Sequence, residues 1–165
     1  MATQQKVKWS VTVKAITAVV LIVLIIAEYY LVADLLYQQD IMTAFIAIVP
    51  ILVLGYFALE SPFCIELNNE SVIIHKLMGK FNLPYSQIAN INIYLPDKSE
   101  VRYLGSGGFF GFIGKFSNAT IGSYQASVGD YSQAFLIKTK DNKHYVFSCE
   151  NRELVINTIQ KQIAS

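Results

Sequence analysis

The chain has 165 residues, of which 53% are hydrophobic and only 15% charged; Lys+Arg 13 against Asp+Glu 12 leave a net charge of +1. An ordinary soluble domain carries about 25% charged residues, so charge is scarce. The near-neutral balance excludes a nucleic-acid binder working through a broad basic face, and the wealth of aromatic and β-branched residues excludes disorder. Two cysteines make no disulfide framework. These exclusions leave a membrane protein with a modest water-facing part.

From Val11 to Ala27 the only charge is Lys14, and Ala15 to Ala27 is apolar except for Thr17. Trp9 precedes this run and Tyr29 and Tyr30 follow it. A helix from Trp9 to Tyr29 rises about 30 Å, the depth of a hydrocarbon core, and aromatic residues at both ends suit the interfacial belts. Trp9, Glu28, Tyr29 and Tyr30 are therefore the expected membrane-interface residues, with the Glu28 carboxylate reaching water beside the tyrosines. The second run, Ile41 to Leu59, carries no charge and ends at Glu60. Pro50 sits within it and predicts a kink rather than a break. A cleaved signal peptide fits less well, because no small-x-small cleavage site follows Ala27. The reading is a transmembrane hairpin over residues 1–60, with helices at about 10–30 and 41–59.

Orientation follows from the cations. Lys6, Lys8 and Lys14 flank or open the first helix, whereas the connector from Asp34 to Asp40 has none. Cations in short flanks stay on the cytoplasmic side, so both termini are expected inside, and Cys64 and Cys149 are expected as free thiols in a reducing compartment.

From Ser61 the period changes to short strands. Phe63, Ile65 and Leu67 alternate with Cys64, Glu66 and Asn68, and Asn68-Asn69 predicts a turn into Ser71–Leu77. Phe81–Leu83 and Ile88–Leu95 are further strands, the latter with Ile91 and Ile93 on one face. Ala134–Thr139 and His144–Ser148 flank the turn Asp141-Asn142. Arg152 to Ile163 places Val155, Ile159 and Ile163 on one helical face, with Asn151 as N-cap and Glu153 in the first turn.

The sequences Leu83-Pro84-Tyr85-Ser86-Gln87-Ile88, Gly105-Ser106-Gly107-Gly108-Phe109-Phe110-Gly111-Phe112-Ile113-Gly114-Lys115-Phe116, Phe135–Thr139 and Lys143–Ser148 resemble the bacterial PH (pleckstrin-homology-like) domain family in its membrane-anchored form. The resemblance covers about residue 63 to the C-terminus. It implies a mainly-β domain over 61–165, a curled seven-stranded antiparallel sheet closed by a C-terminal helix, standing on the cytoplasmic (inner) membrane of a bacterium.

The glycine-aromatic block is not a phosphate loop. Counting back from Gly114-Lys115 puts Phe109 where the first glycine belongs, and Phe116 stands where the metal-binding hydroxyl belongs. Two readings remain for it. Its phenylalanines plug the open end of the sheet, or Phe109, Phe110, Phe112 and Ile113, with Lys115, form an exposed tip that meets a leaflet or a partner. Phosphoinositide recognition is not expected, since the first hairpin loop, Glu66 to Ser71, holds two carboxylates and no cation. His75, His144, Cys64 and Cys149 lack the tight spacing of a zinc site, and no nucleophile signature surrounds either cysteine. No catalytic residue, metal or cofactor is assigned. The expected role is a binding or scaffolding module that recognises a protein segment at the membrane surface. The alternative is an accessory subunit that packs its helices, through Ala44, Ala47, Gly55 and Ala58, against a larger membrane protein.

Overall fold

A computed structural model describes residues 3–38 and 41–164. Two long helices, α1 (Val11–Gln38) and α2 (Ile41–Glu60), pack on each other, and α2 runs unbroken through Pro50. Both are long and apolar enough to cross a membrane, and only 6% of each apolar window is buried, which separates them from core helices of a soluble fold. Helix α1 continues nine residues past Tyr29. The expected connector from Asp34 is therefore helical as far as Gln38, because Leu31, Leu35 and Leu36 prolong the apolar pattern; its remaining residues, 39–40, lie outside the described ones.

Among the described residues the β part contains ten strands rather than seven. A four-stranded sheet has the order β1 (Thr3–Lys6), β2 (Pro62–Leu67), β3 (Ser71–Lys76), β4 (Lys80–Pro84). A six-stranded sheet has the order β5 (Ile88–Ile93), β9 (Ala134–Thr139), β10 (His144–Ser148), β8 (Gly122–Val128), β7 (Phe112–Asn118), β6 (Val101–Gly107). All pairings are antiparallel except β8 with β10, which is parallel. The extra strands have identifiable causes. The polar lead Thr3–Lys6 pairs with β2 across the helical hairpin. Gly105 and Gly114, which read as loop, sit inside β6 and β7 at φ 124° and 127° and face each other in register, while Gly108 and Gly111, at 119° and 121°, make the turn between the two strands.

The larger core joins the two sheets and the C-terminal helix α3 (Arg152–Ala164). Ile65, Val72 and Ile74 meet Ile91, Phe135, Ile137 and Phe147, and Val155 and Ile159 close one end. Asn151 caps α3, its Oδ1 accepting from the Leu154 N–H at 3.1 Å, with Glu153 in the first turn. A second cluster, with Tyr94, Phe116, Tyr124 and Val128, fills the other face of the six-stranded sheet. Asn118 serves this region as a turn residue: its side chain accepts from Thr120 and Ile121 and donates to the Tyr94 hydroxyl at 2.9 Å.

Two alternations differ from expectation, both beside a β-bulge. Phe63 is 48% exposed, because the irregularity between Pro62 and Cys64 turns it outward against the His75 ring. Ile93 is 49% exposed, because the one between Ile88 and Asn90 sends Ile88, Ile91 and Tyr94 inward at intervals of three.

Candidate binding surface at the joint of helices and sheets

The β6–β7 hairpin carries most of the residues singled out from the sequence. Its tip turns through Gly108–Gly111, where the Gly108 N–H donates to the Gly111 carbonyl at 3.1 Å. Phe110 takes φ 56°, an uncommon conformation for a bulky side chain. The surroundings hold it there. The Phe110 N–H donates to Thr17 Oγ1 on α1 at 3.0 Å, and its carbonyl accepts from Ser61 Oγ at 2.9 Å. The Phe110 ring meets Trp9 edge-on at 5.7 Å, and Phe109 meets Phe57 of α2 at 6.4 Å. The Ser10 N–H donates to the Gly129 carbonyl at 3.0 Å, fixing the start of α1 to the end of β8. The hairpin tip is thus seated between the first turns of α1 and the last turns of α2.

The other expected residues separate. Ile113 is buried, the Phe112 ring lies tilted against Tyr131 at 4.6 Å, and Lys115 is exposed on β7. Trp9 lies at the joint. Tyr29 and Tyr30 contact each other edge-on within α1 and are both exposed. The Glu28 carboxylate oxygens are buried, with no hydrogen-bond partner among the described residues.

The sequence reading missed the free flank of this hairpin. β6 is an edge strand whose only sheet neighbour among the described residues is β7. It displays Val101, Tyr103 and Leu104 at 55%, 69% and 70% exposure. The stretch Val-Arg-Tyr-Leu carried the signal, since it combines high β-propensity with the lack of a turn residue. A row of unpaired backbone groups beside apolar side chains is a template for another strand.

The remaining chemistry-bearing groups are quiet. Burial pushes the Cys149 thiol up to about 12 and also raises Cys64, so neither is a thiolate near neutrality. Both are free and buried. His75 is the cross-strand partner of Cys64 but bonds Glu66 at 2.9 Å, and that hydrogen bond holds the Glu66 carboxyl below its ordinary value. Among the described residues no three His, Cys, Asp or Glu side chains gather closely enough to hold a metal.

A family model described as Bacterial PH domain matches residues 64–163. No curated protein and no solved structure matches the chain significantly.

Proposed function

Because the chain belongs to the bacterial PH domain family, we propose that it is a non-catalytic binding module, held at the cytoplasmic face of a bacterial inner membrane by two spanning helices, that recognises a segment of another protein. In this reading residues 61–165, with the strand Thr3–Lys6, form the recognition domain. Trp9 marks the inner interface, and both termini lie inside, on the strength of Lys6, Lys8 and Lys14. The observation that carries the proposal is the β6 edge. A partner strand added there gains backbone hydrogen bonds along Val101–Leu104 and buries their side chains. The glycine-aromatic tip takes a different role: bound to Thr17 and Ser61, it orients the domain on its helices.

Of the small residues that would dock the helices on a larger membrane protein, Ala47 is already buried and Ala44 and Ala58 are partly so, which leaves Gly55 open. Strand recognition is therefore the favoured reading. The test is a photo-crosslinking side chain at Tyr103 in native membranes, against the same probe at Asn142 in the β9–β10 turn, which β8 and β7 separate from the β6 edge. A discrete adduct at 103 alone, abolished by the edge-blunting pair Val101→Lys and Tyr103→Lys with the probe moved to Leu104, is the expected result. Equal yields at 103 and 142 would count against an edge site.

A further inference from the structure

The six-stranded sheet is wider than the four-stranded sheet packed on it, and the difference leaves space. β8, β7 and β6 reach beyond β3 and β4, and the last turns of α2 cover part of the overhang. Between them lies a cavity of about 290 Å³. An apolar cavity of about 150 Å³ already takes a benzene-sized guest. Its aromatic wall is Phe81, Tyr145 and Phe147; Phe81 and Tyr145 stand 5.1 Å apart, and Tyr145 and Phe147 are stacked. Tyr56, Phe57 and Glu60 of α2 form its roof. Gly105 and Gly114, paired across β6 and β7, present bare backbone along one side, because a side chain at either would strike the other strand.

The polar groups are few and specific. Ser127 is 6% exposed and lines the cavity, and its Oγ is buried without a hydrogen-bond partner. A buried hydroxyl left unpaired is costly, and an acceptor inside the cavity removes that cost. Lys76, also in the lining, is neutralised by its ion pair with Glu60. Lys115 on the rim makes no ion pair among the described residues. The site therefore offers an apolar interior, one donor in search of an acceptor and one free cation at its edge.

We propose that this cavity binds the hydrocarbon tail of a single-chain anionic amphiphile taken from the adjoining leaflet. The tail lies along Phe81, Tyr145 and Phe147, the Ser127 hydroxyl donates to an oxygen of the ligand, and the anionic head meets Lys115. This rests on the reading that α1 and α2 cross the bilayer. Tyr56, Phe57 and Glu60 are then both the end of a span and the roof of the cavity, so a lipid enters by lateral movement at headgroup depth without passing through water. Carboxylate and phosphate-monoester heads share the required chemistry.

The full chain is reconstituted in phosphatidylcholine nanodiscs that carry a trace of diazirine-bearing palmitic acid or, separately, diazirine-bearing lysophosphatidic acid. Irradiation should place adducts on β4 and β10, near Phe81 and Tyr145, and excess oleate or unlabelled lysophosphatidic acid should displace them. Whichever probe labels more strongly identifies the head. Gln125→Trp, which fills the cavity from an exposed position, should lower the adducts at least five-fold, and Lys115→Glu two- to five-fold. Adducts confined to α1 and α2, or unchanged in Gln125→Trp, would overturn the proposal. So would a crosslink from a photoreactive side chain at Gln125 to another polypeptide, which would make the cavity a peptide site. A chain that fails to enter nanodiscs refutes the spanning reading instead, whereas a disc-bound chain with an unlabelled cavity refutes only this one.

Discussion

Helices and sheets here use the same apolar residue types under opposite conditions. On α1 and α2, Ile25 is 68% and Leu52 66% exposed, whereas Ile74, Ile91 and Ile137 in the sheets are fully buried. The sheets carry their own core. The helices bury little against each other or the sheets, and in the proposed reading a bilayer supplies the apolar solvent they need, with the backbone satisfied within each helix. In that reading the two halves depend on different forces, and the β6–β7 hairpin couples them, beside the Ser10–Gly129 hydrogen bond and the Glu60–Lys76 ion pair. Each half can be perturbed by itself, and the coupling can be perturbed without either.

The largest effect is expected inside the sheets. Phe135 is fully buried at the centre of the joint core, and Phe135→Ala should destabilise the β part by about 3–5 kcal/mol. Hydrogen exchange on the full chain in micelles should show protection lost throughout β2–β10 and retained in α1 and α2. Loss of both together would mean that the halves fold as one unit.

At the coupling, two glycines make a contrast. A Cβ on Gly105, at φ 124°, would lie 1.9 Å from the Ile113 carbonyl oxygen; one on Gly108, at φ 119°, would lie 2.7 Å from the flexible end of Ile16. Both substitutions strain the backbone, but only the first strikes backbone. Gly105→Ala should cost about 3 kcal/mol or more, and Gly108→Ala about 1–2 kcal/mol. Thermal unfolding of the two variants checks the order. Thr17→Val removes the acceptor of the Phe110 N–H and should cost about 1–2 kcal/mol. Its distinctive readout is faster exchange of the Phe110 amide with the core amides unaffected.

How much of this was legible in the sequence follows the same division. The helices, the β9–β10 hairpin and capped α3 were readable because each obeys a local rule: an uncharged run, alternation around Asp141-Asn142, an N-cap before a helical stripe. β6 and β7 were not, because glycine in a strand looks like glycine in a turn. Only the pairing of Gly105 with Gly114 reveals why positive φ is wanted, and pairing is not local. Phe63 and Ile93 failed for a related reason, since a bulge leaves no mark in the pattern it interrupts. The residue types of the hairpin tip were noticed, but their partners, Thr17, Ser61 and Phe57, lie 49 to 93 residues away in sequence. The β1 strand was hidden likewise, because its partner is on the far side of both helices.

Glu28 sharpens the comparison from the helical side. Its carboxylate oxygens are buried and unpartnered among the described residues, in a helix otherwise suited to lipid. Glu28→Leu should therefore stabilise the helix pair by about 1 kcal/mol, read as a higher unfolding midpoint in micelles. A fall would show that the carboxylate has a partner in the assembled protein, such as a second copy or another membrane chain.

The smallest effect belongs to the outer face of the four-stranded sheet, where Glu66 accepts from His75 of β3 and from Gln4 of β1 at 3.3 Å. The His75 bond, then the Gln4 bond, lowers the Glu66 pKa in the folded chain. A carboxyl depressed in this way adds stability above its unfolded pKa and loses it as pH falls through the folded one. The midpoint of the β part should consequently drop more between pH 6 and pH 3 in the native chain than in Glu66→Gln. Because the pair is solvent-accessible, the difference should shrink in added salt. The helices lack this pair, so their midpoint should show no Glu66-dependent change over the same range, and a parallel drop there would mean that a change in β1 and β2 is passed through the hairpin into the helices.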